Sequence, residues 1–196
     1  MPGDPVSAGP GYFGKVASHG DFVRRGLAPA FVASWDGWLQ ACLQHSRESF
    51  GVDWLATYLY SPLWRFALGA DVCGGQAMAG VLMPSVDRVG RYFPLTLAAP
   101  IGGGEAPGPA LFGRGADWFA ALEQVAFGSL APGFALAALD GALDALAREG
   151  RAPGCAAALA GQSMFWTADA PDGAAPLVCA GLPSRELFCA MLAERP

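Results

Sequence analysis

Ser18-His19-Gly20-Asp21 sets a hydroxyl, an imidazole and a carboxylate almost side by side, the groups used in nucleophilic and acid–base catalysis. Adjacency is not a triad. Catalytic groups converge from distant parts of a chain, so a hydrogen-bonded turn or a partner contact is the simpler account of this run. The alternative reading is a small hydrolase-like enzyme in which His19, Asp21 and Asp87 meet in a pocket and Arg88 or Arg91 holds an anionic substrate. His45, the other histidine, is expected to cap carbonyls at a helix end. Asp140 and Asp144 share a helical face, but two carboxylates without a histidine or third acid suit a solvated surface better than a metal. Gly9, Gly11 and Gly14 fit the spacing G-x-G-x-x-G, yet a dinucleotide fingerprint must follow a strand, and here only a Pro- and Gly-rich arm precedes it. The sequence contains no nucleophile elbow, P-loop or H-E-x-x-H. No catalytic residue, metal or cofactor is assigned.

Charge concentrates in Pro84-Ser85-Val86-Asp87-Arg88-Val89-Gly90-Arg91-Tyr92-Phe93-Pro94, a connection between two apolar runs. Arg88 and Arg91 can present planar guanidinium groups to a partner carboxylate or phosphate, with Asp87 orienting one of them. Arg24, Arg25 and Arg65 are candidates to extend the same surface. The competing account is an internal Asp–Arg clamp that fixes the loop to its own sheet, and sequence does not separate the two.

The elements that must position these groups follow from periodicity. Residues 1–10 form an expected flexible arm, and Tyr12 to Val16 read as an edge strand. Phe31, Trp35, Trp38, Leu39, Cys42 and Leu43 recur at helical spacing behind Pro29, which suits a first helical turn. The other side of that helix, Ala33, Gly37, Gln40, Ala41 and Gln44, lacks charge, which suggests a covered face and, as one option, a subunit of an oligomer. Strands are predicted at Trp64 to Leu68, Ala77 to Met83 and Phe93 to Ile101. The middle run is apolar on both faces, as expected of a strand sandwiched between helices in a layered α/β domain. A Gly-rich surface loop at 102–109, helices around Trp118 to Val125 and Leu136 to Leu146, strands at Gln162 to Thr167 and Leu177 to Ala180, and a helix capped by Ser184 complete the pattern. Asp144 and Arg148 are spaced to pair on the third helix.

With 196 residues, 53% of them hydrophobic and only 15% charged, the chain is expected to fold as one domain around a large core. A net charge of −5 offers no general field for a nucleic-acid backbone. No leader or membrane-spanning run is visible, so a cytoplasmic location is expected. The odd set Cys42, Cys73, Cys155, Cys179 and Cys189 contains no C-x-x-C pair and is read as reduced, buried thiols.

Several blocks, in order, resemble one family. Gly11-Tyr12-Phe13-Gly14-Lys15, Ser18-His19-Gly20-Asp21-Phe22-Val23 and Trp35-Asp36-Gly37-Trp38-Leu39 resemble the opening of the TagF family. Ser61 to Leu68 and Gly80 to Leu95 resemble its middle blocks, and Ser163-Met164-Phe165-Trp166-Thr167 a segment where the family tends to carry paired tryptophans. The resemblance runs from Gly11 over almost the whole chain, which makes residues 11–196 a TagF-like domain. It implies a three-layer α-β-α sandwich, which we expect around a mixed sheet. It further implies a type VI secretion accessory protein, a post-translational repressor that binds a forkhead-associated-domain scaffold. Some relatives are fused to a phosphatase domain; with the sequence ending at Pro196, a phosphatase or kinase of that pathway is expected to be a separate protein. The partner-binding candidates are His19, Asp21, Arg24, Asp36, Arg65, Asp87, Arg88, Arg91 and Tyr92.

Overall fold

The computed structural model describes residues 9–102, 115–150, 159–168 and 175–194. The Gly-rich segment, Cys155 and most of the expected arm lie outside the described residues. Seven strands, β1 (Gly11–Gly14), β2 (Val23–Arg25), β3 (Trp64–Leu68), β4 (Met78–Met83), β5 (Leu95–Pro100), β6 (Gln162–Trp166) and β7 (Leu177–Ala180), form one sheet in the order β2-β1-β5-β4-β3-β6-β7. Among the described residues five α-helices accompany it: α1 (Pro29–Phe50), α2 (Trp54–Tyr60), α3 (Ala116–Gly128), α4 (Leu136–Glu149) and α5 (Arg185–Ala193). The fold is α/β.

Every strand pairing is antiparallel, which corrects the expected mixed sheet. Burial on both faces does not dictate strand direction. β3, β4 and β5 are joined by segments of too few residues to hold a crossover helix, and such connections return the chain antiparallel. The double burial has another origin. Along β4, Met78 and Leu82 enter one cluster with Phe31, Trp35 and Leu39 of α1 and Phe188 of α5. The alternate residues Ala79, Val81 and Met83 enter a second cluster with Trp118, Phe119 and Leu122 of α3 and Leu139 and Leu143 of α4. The period of two therefore divides one apolar strand between two cores.

β1 is interior to the sheet, between β2 and β5, and the edge lies at β2, a strand whose Val23-Arg24-Arg25 sequence carries little strand signal. α1 starts at Pro29 with no side-chain cap and buries Phe31, Trp35, Leu39, Cys42 and Leu43. The uncharged positions Ala33, Gly37, Gln40 and Gln44 are exposed. Trp35 donates to Thr96 Oγ1 of β5 at 2.9 Å, giving a fully buried indole its partner. Ser184 caps α5, accepting from the Leu187 N–H at 3.2 Å. No helix among the described residues is long and apolar enough to cross a membrane.

Candidate functional site

Two connections meet beyond one end of the central strands: residues 15–22, between β1 and β2, and residues 84–94, between β4 and β5. β1 pairs with β5, so sheet register delivers both to the same place. The closeness is extreme at Gly14, whose φ of +140° and near contact with the Pro94 carbonyl leave no room for a side chain: a Cβ would lie 2.1 Å from that oxygen. Further along, Val86 bridges to Tyr92 and the chain reverses through Asp87 to Gly90, with the Gly90 N–H bonded to the Asp87 carbonyl at 3.0 Å and Gly90 at φ +85°. Tyr92 packs edge-on against Trp54 and Tyr58 of α2, which anchors the back of the loop.

At the junction, the Asp87 carboxylate has no solvent exposure and accepts four hydrogen bonds. They come from Lys15 Nζ at 2.8 Å, Arg91 Nε at 2.7 Å, the Arg91 N–H at 2.9 Å and the Val89 N–H at 3.0 Å. Burial on its own would raise this carboxyl; the Lys15 ammonium and the Arg91 and Val89 donors outweigh it and hold the group well below the usual carboxylate range. Arg91 also donates through Nη2 to the Gly20 carbonyl, and the Arg88 N–H donates to the His19 carbonyl at 2.9 Å. Ser85 Oγ donates to the Lys15 carbonyl at 2.7 Å. The clamp between Asp87 and Arg91 is thus present, and it ties one loop to the other. Lys15, which sequence reasoning passed over, is its third member. The signal was available: a cation in the apolar run Gly11 to Val16 requires a buried anion.

The other candidates divide. His19 is half-buried, with Nδ1 3.0 Å from Ser18 Oγ, while Asp21 accepts from the neighbouring Phe22 N–H at 2.8 Å, a local turn contact. These bonds account for the Ser-His-Gly-Asp run as turn geometry. Arg24 is exposed opposite Phe13 in the β1–β2 register. Phe22, absent from the sequence-based set, is 43% exposed; it stacks on Phe13 at 5.6 Å and meets Phe93 edge-on at 4.8 Å. Among the described residues the Arg88 side chain has no hydrogen bond or ion pair, and it lies over Gly20. Asp36, on α1, is held by Gln40 at 2.7 Å through one oxygen, while its buried Oδ1 has no partner.

Arg65 and Arg25 do not extend this surface. Arg65 lies on the sheet face that carries α3 and makes a two-pronged pair with Glu123, Nε to Oε1 at 2.6 Å and Nη2 to Oε2 at 2.8 Å. Arg25 bonds Asp140 at 3.0 Å and Asp144 at 2.6 Å, and Tyr12 donates to the same Asp140 at 3.0 Å. The two aspartates therefore strap α4 to β2 from a face that stays open to solvent. Arg148 turns to the Asp144 carbonyl and leaves that carboxylate to Arg25. Burial first, and the bond to Asp140 second, push the Tyr12 phenol up to about 12. His45 lies within α1, not at its end, with Nε2 3.9 Å from Glu186 of α5. Cys42 and Cys73 are buried as expected, whereas Cys179 and Cys189 are half-buried. No group of three or more metal-ligating side chains occurs among the described residues.

A family model described as the TagF N-terminal domain, type VI secretion system-associated, matches residues 11–146. The crystal structure of PA0076 from Pseudomonas aeruginosa PAO1 superposes with a TM-score of 0.80 at 34% identity, covering 93% of each chain. No curated protein matches this chain.

Proposed function

This chain belongs to the TagF N-terminal domain family of type VI secretion-associated proteins, and from that premise we propose that it represses secretion after translation by binding a component of the apparatus, a forkhead-associated-domain scaffold. The observation that carries the reading is the locked pair of loops. A sealed four-donor carboxylate fixes residues 15–22 against residues 84–94, yet Phe22, Arg88 and Val89 remain exposed on the outside. An ordered backbone that still presents side chains to solvent is what a pre-organised contact surface requires, because less conformational entropy is lost on binding. The body behind it is read as a three-layer α-β-α arrangement, and the place of action as the cytoplasm. Binding, not catalysis, is favoured by the way His19 and Asp21 are spent on their sequence neighbours.

The test is affinity capture of the full chain from its own lysate, followed by reconstitution with the purified scaffold. Capture of a type VI component that then binds directly supports the reading. If the folded protein retains no secretion component, the regulator reading is wrong.

A further inference from the structure

The two loops form a cationic face. Of the five basic residues in 15–25 and 84–94, Arg24, Arg88 and Arg91 are exposed, while Lys15 is buried against Asp87 and Arg25 is held by Asp140 and Asp144; of the two acidic residues, Asp21 is exposed and Asp87 is buried and saturated by donors. Asp87 offsets one of the two cations bonded to it, Lys15 and Arg91, so the junction keeps a net positive charge. Both guanidinium groups converge on Gly20: Arg91 donates to its carbonyl, and a Cβ there would sit 3.5 Å from Arg88 Nη2. Of the five N–H donors on each group, Arg91 uses Nε and one on Nη2, and Arg88 uses none within the described residues. Two guanidinium groups directed at one turn, with donors unspent, offer a planar fork to a carboxylate or other oxyanion.

The apolar part of the surface is continuous with this fork. Phe22 stacks on Phe13, Lys15 Nζ lies 5.1 Å from the Phe22 ring, and Arg24 stands opposite Phe13 in the strand register. Val89, at the tip between the two arginines, is 64% exposed. A bare oxyanion would use the arginines and leave Phe22 and Val89 idle. A peptide uses both.

We propose that the face formed by Phe22, Arg24, Arg88, Val89 and Arg91 binds an acidic segment of a protein partner, with carboxylates on the arginines and an apolar side chain against Phe22 and Val89. The proposal rests on the reading of these loops as the partner contact and adds the chemistry of what docks there. Arg88 is the central contact, since its guanidinium is free and its backbone is pinned to His19. Arg91 acts partly through Asp87, so substituting it also loosens the loop.

Fluorescence anisotropy of the full chain with a short labelled peptide of Glu, Asp and Leu, beside its Gln/Asn/Leu analogue, tests the idea. The acidic peptide should bind at least about tenfold tighter than the neutral one and weaken as salt rises. Arg88→Glu should lower affinity by about tenfold or more, and Arg88→Lys by a few-fold, because an ammonium keeps the charge but loses the planar fork. Equal binding of the two peptides, binding of neither, or an Arg88→Glu protein within twofold of wild type overturns the inference. So does displacement of the peptide by inorganic phosphate at concentrations no higher than those of unlabelled peptide, which would mark a free-oxyanion site. Capture of the scaffold unaffected by Arg88→Glu would leave the regulator reading standing and remove this one.

Discussion

Arg65→Met should destabilise the chain by about 3 kcal/mol while leaving partner binding at wild-type strength. Arg65 and Glu123 meet through two short hydrogen bonds, with side chains only 14% and 11% exposed. Removing one member of a buried pair leaves the other charged and unpartnered, at a cost of about 3–5 kcal/mol. The lower end applies here because a tenth of each side chain still reaches water. Met keeps the aliphatic stem of Arg65, while the guanidinium carbon, 5.7 Å from the Phe119 ring centroid, is lost with the charge. For a domain of this size the midpoint of thermal unfolding should fall by roughly 6–12 °C. The double variant Arg65→Met/Glu123→Leu removes both charges and should recover most of the loss. Urea titrations of wild type, both single variants and the double close the cycle. A loss below about 1 kcal/mol for Arg65→Met would place the pair among solvated surface bridges, and a double variant no more stable than the singles would show that the charges were not compensating each other. A selective loss of partner binding with unchanged stability would return Arg65 to the contact surface.

Gly14→Ala should destabilise by at least about 1–3 kcal/mol from backbone strain alone, with the clash at the Pro94 carbonyl in addition, and should loosen the two loops together; hydrogen exchange at Val89 and Arg91 N–H reports it. Asp87 is depressed in the folded chain, so its contribution is complete above the unfolded value near 3.8 and is lost as pH falls below it. Urea midpoints between pH 2 and 5 should therefore show a shallower acid limb in Asp87→Asn, and an unchanged slope would refute the sealed clamp. Burial raises the Cys42 thiol to about 12 and the Cys73 thiol to about 11. A thiol reagent at pH 8 should therefore modify neither in the native protein and both after unfolding, as peptide mapping would show.

Much of the skeleton is legible from residue pattern. The apolar spacing behind Pro29 locates α1, Ser184 marks α5, and β3 and β7 fall on the strand-like runs Trp64 to Leu68 and Leu177 to Ala180. Strand direction is not legible from burial, because a strand with helices against both faces has the same composition in either orientation. β2 escapes because Val23-Arg24-Arg25 carries one apolar residue, and its pairing with β1 rather than propensity makes it a strand. α2 is overlooked because Trp54, Thr57 and Tyr58 face the core while Leu55 and Leu59 face out, so polarity does not reveal its orientation. At the site, the Asp87–Arg91 contact is local in sequence and open to view. Lys15 joins it from 72 positions away, a convergence that register alone decides. The same distance effect misassigned Arg65, whose partner Glu123 lies 58 residues downstream.

The sheet ends in strands of three residues at β2 and four at β7. An open sheet invites another molecule to add a strand at its rim, and polymerisation follows when rims are long and apolar. β2 answers with adjacent arginines, one projecting into solvent and one bound to the two aspartates of α4. The arginine pair thereby puts charge at the border beside the apolar Tyr12-Phe13 strand, which pairs with β2. A chain stripped of Arg24 and Arg25 would keep both cores and acquire an adhesive border, with aggregation rather than unfolding as its first failure.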